Sequence, residues 1–199
     1  DENRELMAQV TLLNKEQENI INTLTEIGTA LSAEKDFSKL LQTIVSADRM
    51  ITKADAGTLY LLEENMLRFK VVQNESMKIQ MGGGSGSQIV FPPLELKESN
   101  VSGYVAMRGV TVNIPDVYHS DLFDFTGPKK FDASTGYRSK SMLVVPLKNH
   151  ENDVVGVLQL LNAKDAKSGE WIAFSKEPER FANSVASQAV VAVTNVMLI

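Results

Sequence analysis

The sequence predicts an α+β domain: a central antiparallel sheet of about six strands, with helices on both faces and long helices at both ends. Apolar residues recur every 3.5 residues or so over the first 32 residues, every second residue through the middle, and with helical spacing again near the C-terminus. Strands joined by tight turns and bracketed by helices indicate an antiparallel sheet covered by helices. A chain of 199 residues, 43% of them hydrophobic, can bury one good core.

The first predicted element is a helix with a coiled-coil seam over residues 1–34. Its seam positions are spaced alternately four and three residues apart: Leu6, Val10, Leu13, Gln17, Ile20, Leu24, Ile27 and Leu31. Such a 3.5-residue period is typical of one helix packing against another, and the polar Gln17 is the kind of residue that fixes register at some cost in stability. An amphipathic helix packed on its own domain is the alternative reading.

The middle of the chain, residues 35–180, is predicted to be the globular domain. Asp36 can cap a helix, and Asn100 or Ser102 begins a short one that stops at Gly109. The expected strands are Gly57–Leu62, Met66–Val72, Ile89–Phe91, Val110–Ile114, Met142–Leu147 and Val154–Leu161.

The last element, residues 181–199, is expected to be an exit helix that packs in a dimer. Ser175 can cap it, and the four-three spacing returns at Val185, Ala189, Ala192, Val196 and Ile199. A seam at each end of the chain favours a parallel homodimer formed through the terminal helices.

Composition excludes several classes of function. The net charge of -5 and the scattered basic residues argue against a nucleic-acid surface. The absence of cysteine removes disulfides, thiolate metal sites and cysteine catalysis, and fits a cytoplasmic location. No apolar run approaches the ~20 residues of a membrane span. Because the chain opens at Asp1 without a signal-like region, we expect it to be part of a longer protein.

No catalytic or metal-binding pattern stands out. The glycine-rich stretch 81–87 lacks the Gly-Lys-Ser/Thr ending of a phosphate-binding loop and is interpreted as a flexible connection. His119 and His150 are the only histidines and are isolated from each other, without metal-ligand spacing. The domain itself is therefore not expected to be an enzyme.

The segment from Val110 to Asn162 carries the most specific motifs. In chain order they are Asn113-Ile114-Pro115-Asp116, Phe131-Asp132, Thr135-Gly136-Tyr137-Arg138 and a strand with Pro146 near its end. Together with the pieces upstream, they resemble a GAF domain over roughly residues 35–195. GAF domains are sensory modules of cyclic-nucleotide phosphodiesterases, adenylate cyclases and bacterial signalling proteins.

The resemblance implies a pocket for a small molecule, with cyclic AMP or cyclic GMP as the leading candidates. The positions that match the ligand contacts of cyclic-nucleotide-binding members are Thr58, Val72, Gln73, Val101, Ser102, Asp132, Thr135, Ser139 and Gln159. Ser102 stands near a helix N-terminus, whose free N–H groups attract phosphate. The other polar side chains offer hydrogen bonds to a base or ribose.

Departures from the family pattern keep a second reading open. The signature of cyclic-nucleotide binders is Asn-Lys, then Phe, three residues, and Asp-Glu; this chain has Asn162, Ala163, Phe174, Pro178 and Glu179. The Lys and Asp that would form an ion pair are both replaced, which can be nearly neutral for the fold.

Two readings of the whole chain follow. The first is a dimeric sensor from a bacterial signalling protein, which relays binding through its terminal helices to an output domain such as a metal-dependent HD-type phosphohydrolase, a kinase or a cyclase. The second is a ligand-free dimerisation module. A catalytic variant of the methionine sulfoxide reductase type depends on cysteine, which this chain lacks.

Overall fold

A computed structural model describes residues 1–197. The helices are α1 Glu2–Ala33, α2 Phe37–Thr52, α3 Val101–Arg108, α4 Thr126–Thr135 and α5 Lys176–Met197. The strands are β1 Ala54–Glu63, β2 Met66–Asn74, β3 Ile79–Gly82, β4 Leu94–Glu95, β5 Val112–Ile114, β6 Met142–Lys148, β7 Val154–Lys164 and β8 Trp171–Ile172. None of the helices between residues 1 and 197 is long and apolar enough to cross a membrane.

The sheet is antiparallel, as predicted, and its main strands lie in the order β3-β2-β1-β7-β6-β5. The short β4 pairs with β2, and β8 pairs with β7. Helices α1, α2 and α5 cover one face of the sheet, where the larger apolar core is buried. The second face carries a smaller core together with α3. The α+β fold class is therefore confirmed.

Two capped helices start where the sequence places them. The Asp36 carboxylate accepts the Lys39 N–H (3.2 Å), and the Asn100 amide oxygen accepts the Gly103 N–H (2.6 Å). Gly109 ends α3 in the left-handed conformation that a C-cap residue favours.

Two local predictions were wrong. Residues 89–91 form no strand; the edge strand is β3, and the glycine-rich stretch is an ordered turn in which three consecutive glycines adopt positive φ. The Phe131-Asp132 segment, to which no helix or strand was assigned from the sequence, belongs to α4. The glycine-rich stretch and the Phe131-Asp132 segment have no regular spacing of apolar residues, and such spacing is the signal from which helices and strands were predicted.

The two terminal seams behave differently from each other. In α5, Val185, Ala189 and Ala192 are buried in the core of their own chain, so these residues do not face a partner, contrary to expectation; Ile199 lies outside the described residues. In α1, Ile27 and Leu31 are buried against the domain, whereas the first 19 residues are all exposed. Only the first half of the α1 seam is therefore free to contact another molecule.

Candidate ligand-binding site

A cavity of about 390 Å³ lies between the second face of the sheet and the segments that carry α3 and α4. Its walls are rich in aromatic side chains: Tyr60, Phe69, Phe91, Phe125 and Phe131. The Phe69 ring contacts both the Tyr60 ring (4.6 Å between centroids) and the Phe91 ring (5.2 Å). A concave and mostly apolar lining with a few polar groups is typical of small-molecule sites.

Three polar side chains of the cavity lining, Thr58, Ser102 and Gln159, lie close together. Ser102, in the first turn of α3, donates a hydrogen bond from its hydroxyl to the Gln159 amide oxygen (3.2 Å). Thr58 lies directly across from Gln159 in the β1–β7 register, so both side chains point to the same face. Burial raises the pKa of the Tyr60 phenol above its ordinary value, an effect that a hydrogen bond with Ser102 partly offsets.

Seven of the nine predicted ligand contacts border this cavity: Thr58, Val72, Gln73, Val101, Ser102, Ser139 and Gln159. Gln73 also borders the cavity, but its side-chain amide points away from the cavity, towards α2. Its amide donates to Ser46 (3.0 Å) and accepts from Arg49 (2.8 Å), both on α2. Because neighbouring strand residues point to opposite faces, Val72 and Asn74, on either side of Gln73, are directed at the cavity.

The other two predicted contacts, Asp132 and Thr135, do not line the cavity. The buried Asp132 carboxylate accepts hydrogen bonds from the Ser139 N–H and hydroxyl (2.8 and 2.9 Å) and from the Tyr118 hydroxyl (2.7 Å). The Thr135 hydroxyl donates to the Phe131 carbonyl (2.7 Å) and accepts the Tyr137 N–H (3.2 Å). Both residues therefore fix the connection between α4 and β6, which the sequence pattern does not reveal.

Most of the aromatic wall was missed at the sequence level. Tyr60 alone had a signal, since it stands two residues after Thr58 on the same strand and so shares its face. Phe91 and Phe125 come from irregular chain, and Phe131 lies in the middle of α4. No spacing rule in the sequence places such residues at one site.

The family signature is rearranged around Asn162. Ala163 is buried beside Ala54 of β1, in the core against the helices. The neighbouring Lys164 reaches the buried Asp55 carboxylate (3.4 Å) and the exposed Glu75 (3.9 Å). The lysine of this ion pair is therefore one position later than the family signature has it. Its acids are Asp55 of β1 and Glu75 after β2, and not a residue at position 178.

Other polar features lie at the surface. The side chains of His119 and His150 are 77% and 83% exposed, and His119 contacts Asp116 (3.0 Å). Within residues 1–197, no group of three or more His, Asp or Glu side chains could hold a metal ion. Two other grooves, of about 470 and 580 Å³, lie near the end of α2. The aromatic cavity differs from both in being walled by buried side chains of the second core.

Comparison with known proteins agrees with this architecture. The family model of the GAF domain matches residues 36–193. The chain is 28% identical over 179 residues to the dual 3',5'-cyclic-AMP and -GMP phosphodiesterase 11A of Takifugu rubripes, covering 87% of this chain and 18% of that protein. It is 27% identical over 136 residues to a cGMP-specific 3',5'-cyclic phosphodiesterase of Drosophila sechellia, covering 65% of this chain and 11% of that protein.

The chain thus spans less than a fifth of the length of these relatives. Among solved structures, the GAF domain of a Coxiella burnetii phosphoenolpyruvate-protein phosphotransferase superposes with a TM-score of 0.68 at 17% identity, over 91% of this chain and 96% of that one. The match over residues 36–193 includes β1 to β8 and nearly all of α5. This chain belongs to the GAF domain family.

Proposed function

We propose that this GAF domain, a small-molecule-sensing regulatory module, binds a cyclic nucleotide in its aromatic cavity and does no chemistry itself. The observation that carries the proposal is the cavity: its lining is mostly apolar and aromatic, and Thr58, Ser102 and Gln159 form a polar group within it. The names of the relatives support the ligand class, since both are phosphodiesterases of cyclic nucleotides.

A cyclic nucleotide has an aromatic base and a phosphate, which match the aromatic wall and the polar group of the cavity. A purine base is planar and stacks well against aromatic rings such as Phe69 and Phe91. The phosphate would lie near Ser102, where the first N–H groups of α3 are not used within the helix. Among the described residues, no lysine or arginine lines the cavity, so neutral donors would have to hold the single negative charge.

A thermal-shift experiment with cyclic AMP and cyclic GMP tests this proposal. A ligand at ~100 times its Kd stabilises the folded state by ~2.7 kcal/mol, which we expect to see as a rise in Tm. Thr58→Phe should abolish the rise because the ring fills the cavity from β1. The matched Thr58→Val variant leaves the space open and should retain most of it. A rise that survives Thr58→Phe would place the ligand elsewhere, and no rise in the native protein would exclude these two nucleotides.

We also propose that the domain forms a parallel homodimer through the first half of α1. Leu6, Val10 and Leu13 are 58%, 48% and 58% exposed, although the same seam is buried by the domain further along the helix. An apolar seam of this length exposed to water is costly, and a second copy of the same helix can cover it. This dimer is compatible both with a sensor and with the alternative, a ligand-free dimerisation module.

Sedimentation equilibrium tests the dimer. Val10→Asp places a charge in the seam and should shift the chain towards monomer, whereas Gln17→Leu removes the one polar seam residue and should tighten the dimer. Thr11→Asp adds the same charge next to the seam and should have little effect. A native chain that stays monomeric at high micromolar concentration would contradict the proposal.

We further propose that ligand binding shifts the packing of α1 and α5 and so the activity of an attached output domain. We propose an HD-type phosphohydrolase, a kinase or a cyclase as that output. The physical basis is the direct packing of α1 against α5, where the Gln188 amide donates to the Leu24 carbonyl (3.3 Å).

A further inference from the structure

A buried polar cluster lies behind the cavity, between β1, β7 and the connection from α4 to β6. The Tyr137 hydroxyl donates to the Asp55 carboxylate (2.8 Å) and accepts from the Asn162 amide (2.9 Å). Asp55 and Asn162 have no exposed surface, and Tyr137 is 7% exposed. Burial, together with Asp55, raises the pKa of Tyr137, so this hydroxyl stays protonated and keeps donating. No residue of this cluster was among the predicted ligand contacts.

One end of the cluster reaches the cavity. The Phe131 side chain lines the cavity, and its ring meets the Tyr137 ring edge to face, with 6.1 Å between centroids. Phe131 lies within α4, and Tyr137 directly follows Gly136, which terminates this helix in a left-handed conformation. A ligand that displaces Phe131 would therefore press on the Tyr137 ring, because packed aromatic rings share no empty space.

The other end of the cluster reaches the terminal helices. The second Asp55 oxygen accepts from Ser76 (2.8 Å) and lies 3.4 Å from the Lys164 ammonium. Lys164 in turn lines the groove of about 470 Å³ that Ile20 of α1 and Phe181 of α5 also line. Three contacts thus connect the cavity wall with the place where α1 and α5 meet the domain.

We propose that Tyr137 couples the cavity to this groove by controlling how strongly Asp55 holds Lys164. This step rests on the proposed function, since it describes how occupancy of the cavity would be transmitted. Asp55 is wholly buried and cannot replace the lost Tyr137 hydrogen bond with water, so it must compensate by attracting Lys164 more strongly. The Lys164 ammonium also lies 3.9 Å from the exposed Glu75 carboxylate, so a change in its attraction to Asp55 would move it towards or away from this second acid.

Trp171, the only tryptophan of the chain, can report on the position of the Lys164 side chain. Trp171 of β8 pairs with Lys164 of β7, and the Lys164 ammonium lies over its ring, 5.6 Å from the centroid. Trp171 does not line the cavity. A change in the position of Lys164 should therefore alter the emission and quenching of Trp171, even though the perturbation starts at the cavity.

The test is a cycle of variants that needs no ligand. We expect Phe131→Leu to change the emission maximum of Trp171 and its quenching by acrylamide, and the same change to vanish in a Tyr137→Phe or Lys164→Met background. Phe91→Leu removes a ring from another part of the cavity wall and serves as the matched control, with no effect on Trp171 expected. Circular dichroism verifies that each variant is folded, and Phe131→Met replaces any Phe131→Leu protein that is not.

Three results would overturn the coupling: an unchanged Trp171 in folded Phe131→Leu, the same change in Phe91→Leu, or an equal response with and without the Tyr137 hydroxyl. Because no nucleotide is added, these outcomes are independent of whether the cavity binds a cyclic nucleotide. Loss of coupling together with a nucleotide-induced rise in Tm would leave the sensor proposal in place and remove only this route.

Discussion

Replacing Asp48 by asparagine is expected to stabilise the folded domain at neutral pH. Asp48 lies on α2 with no exposed surface, and within residues 1–197 neither of its carboxyl oxygens has a hydrogen-bond partner. Burial raises the pKa of this carboxyl well above its ordinary value. The folded state must therefore either keep a proton that neutral solution would remove or bury an unpaired charge.

The sign of the pH dependence follows from this shift. Below about pH 4 the carboxyl is protonated in both folded and unfolded chains, so its ionisation does not lower the free energy of unfolding. As the pH rises above that value, the unfolded chain loses its proton first, so the free energy of unfolding falls by up to about 1.4 kcal/mol per pH unit until the folded pKa is reached. The asparagine variant has no such loss, and its advantage over the native chain should grow with pH.

Urea unfolding at pH 4 and pH 8 measures this difference. We expect Asp48→Asn to be more stable than the native chain at pH 8, by about 1–3 kcal/mol or more, and close to it at pH 4. Glu26→Gln, which removes an exposed carboxyl from α1, is the matched control and should show no such pH-dependent gain. An advantage equal at both pH values would mean that Asp48 is ionised or bonded in the folded chain.

The elements that sequence predicts well here are those whose burial follows one simple period. Strands β1 and β7 alternate between two different cores, and Asp36 and Asn100 cap their helices through side chains that point back to nearby N–H groups. The four-three spacing of α5 was also real. This spacing shows that one face of α5 is buried. It does not show whether that face packs against the chain's own sheet or against a partner, because both require the same apolar stripe.

The candidate site shows a similar division. The resemblance to the GAF family indicated Thr58, Gln159 and Ser102, and these three lie together because strand register and the start of α3 fix their places. Side-chain direction was not predictable at Gln73, whose amide is held by α2 (2.8 Å from Arg49). The internal hydrogen bonding of Asp132, which was predicted to contact a ligand, was unpredictable for the same reason: its three hydrogen-bond donors come from residues up to 14 positions away, and no local pattern records them.

Asn162→Ala is expected to cause one of the largest losses of stability in the domain. The Asn162 side-chain oxygen accepts the N–H groups of Lys140 (2.7 Å) and Ser141 (3.2 Å), and its amide donates to the Tyr137 hydroxyl (2.9 Å) and the Arg138 carbonyl (2.8 Å). Alanine removes all four bonds at a site without exposed surface. Each buried group left without a partner costs about 1–3 kcal/mol, so we expect a total of roughly 3–5 kcal/mol.

The backbone at this position separates two contributions. Asn162 has a φ of 60°, a left-handed conformation that asparagine tolerates and alanine does not. Asn162→Gly loses the same hydrogen bonds without that strain and should be more stable than Asn162→Ala by about 1 kcal/mol, measured by urea unfolding. If both variants unfolded near the native midpoint, water would have to replace the amide, and the connection from α4 to β6 would not depend on Asn162. That result would also weaken the role of Tyr137, because Asn162 is one of the two residues that fix its hydroxyl.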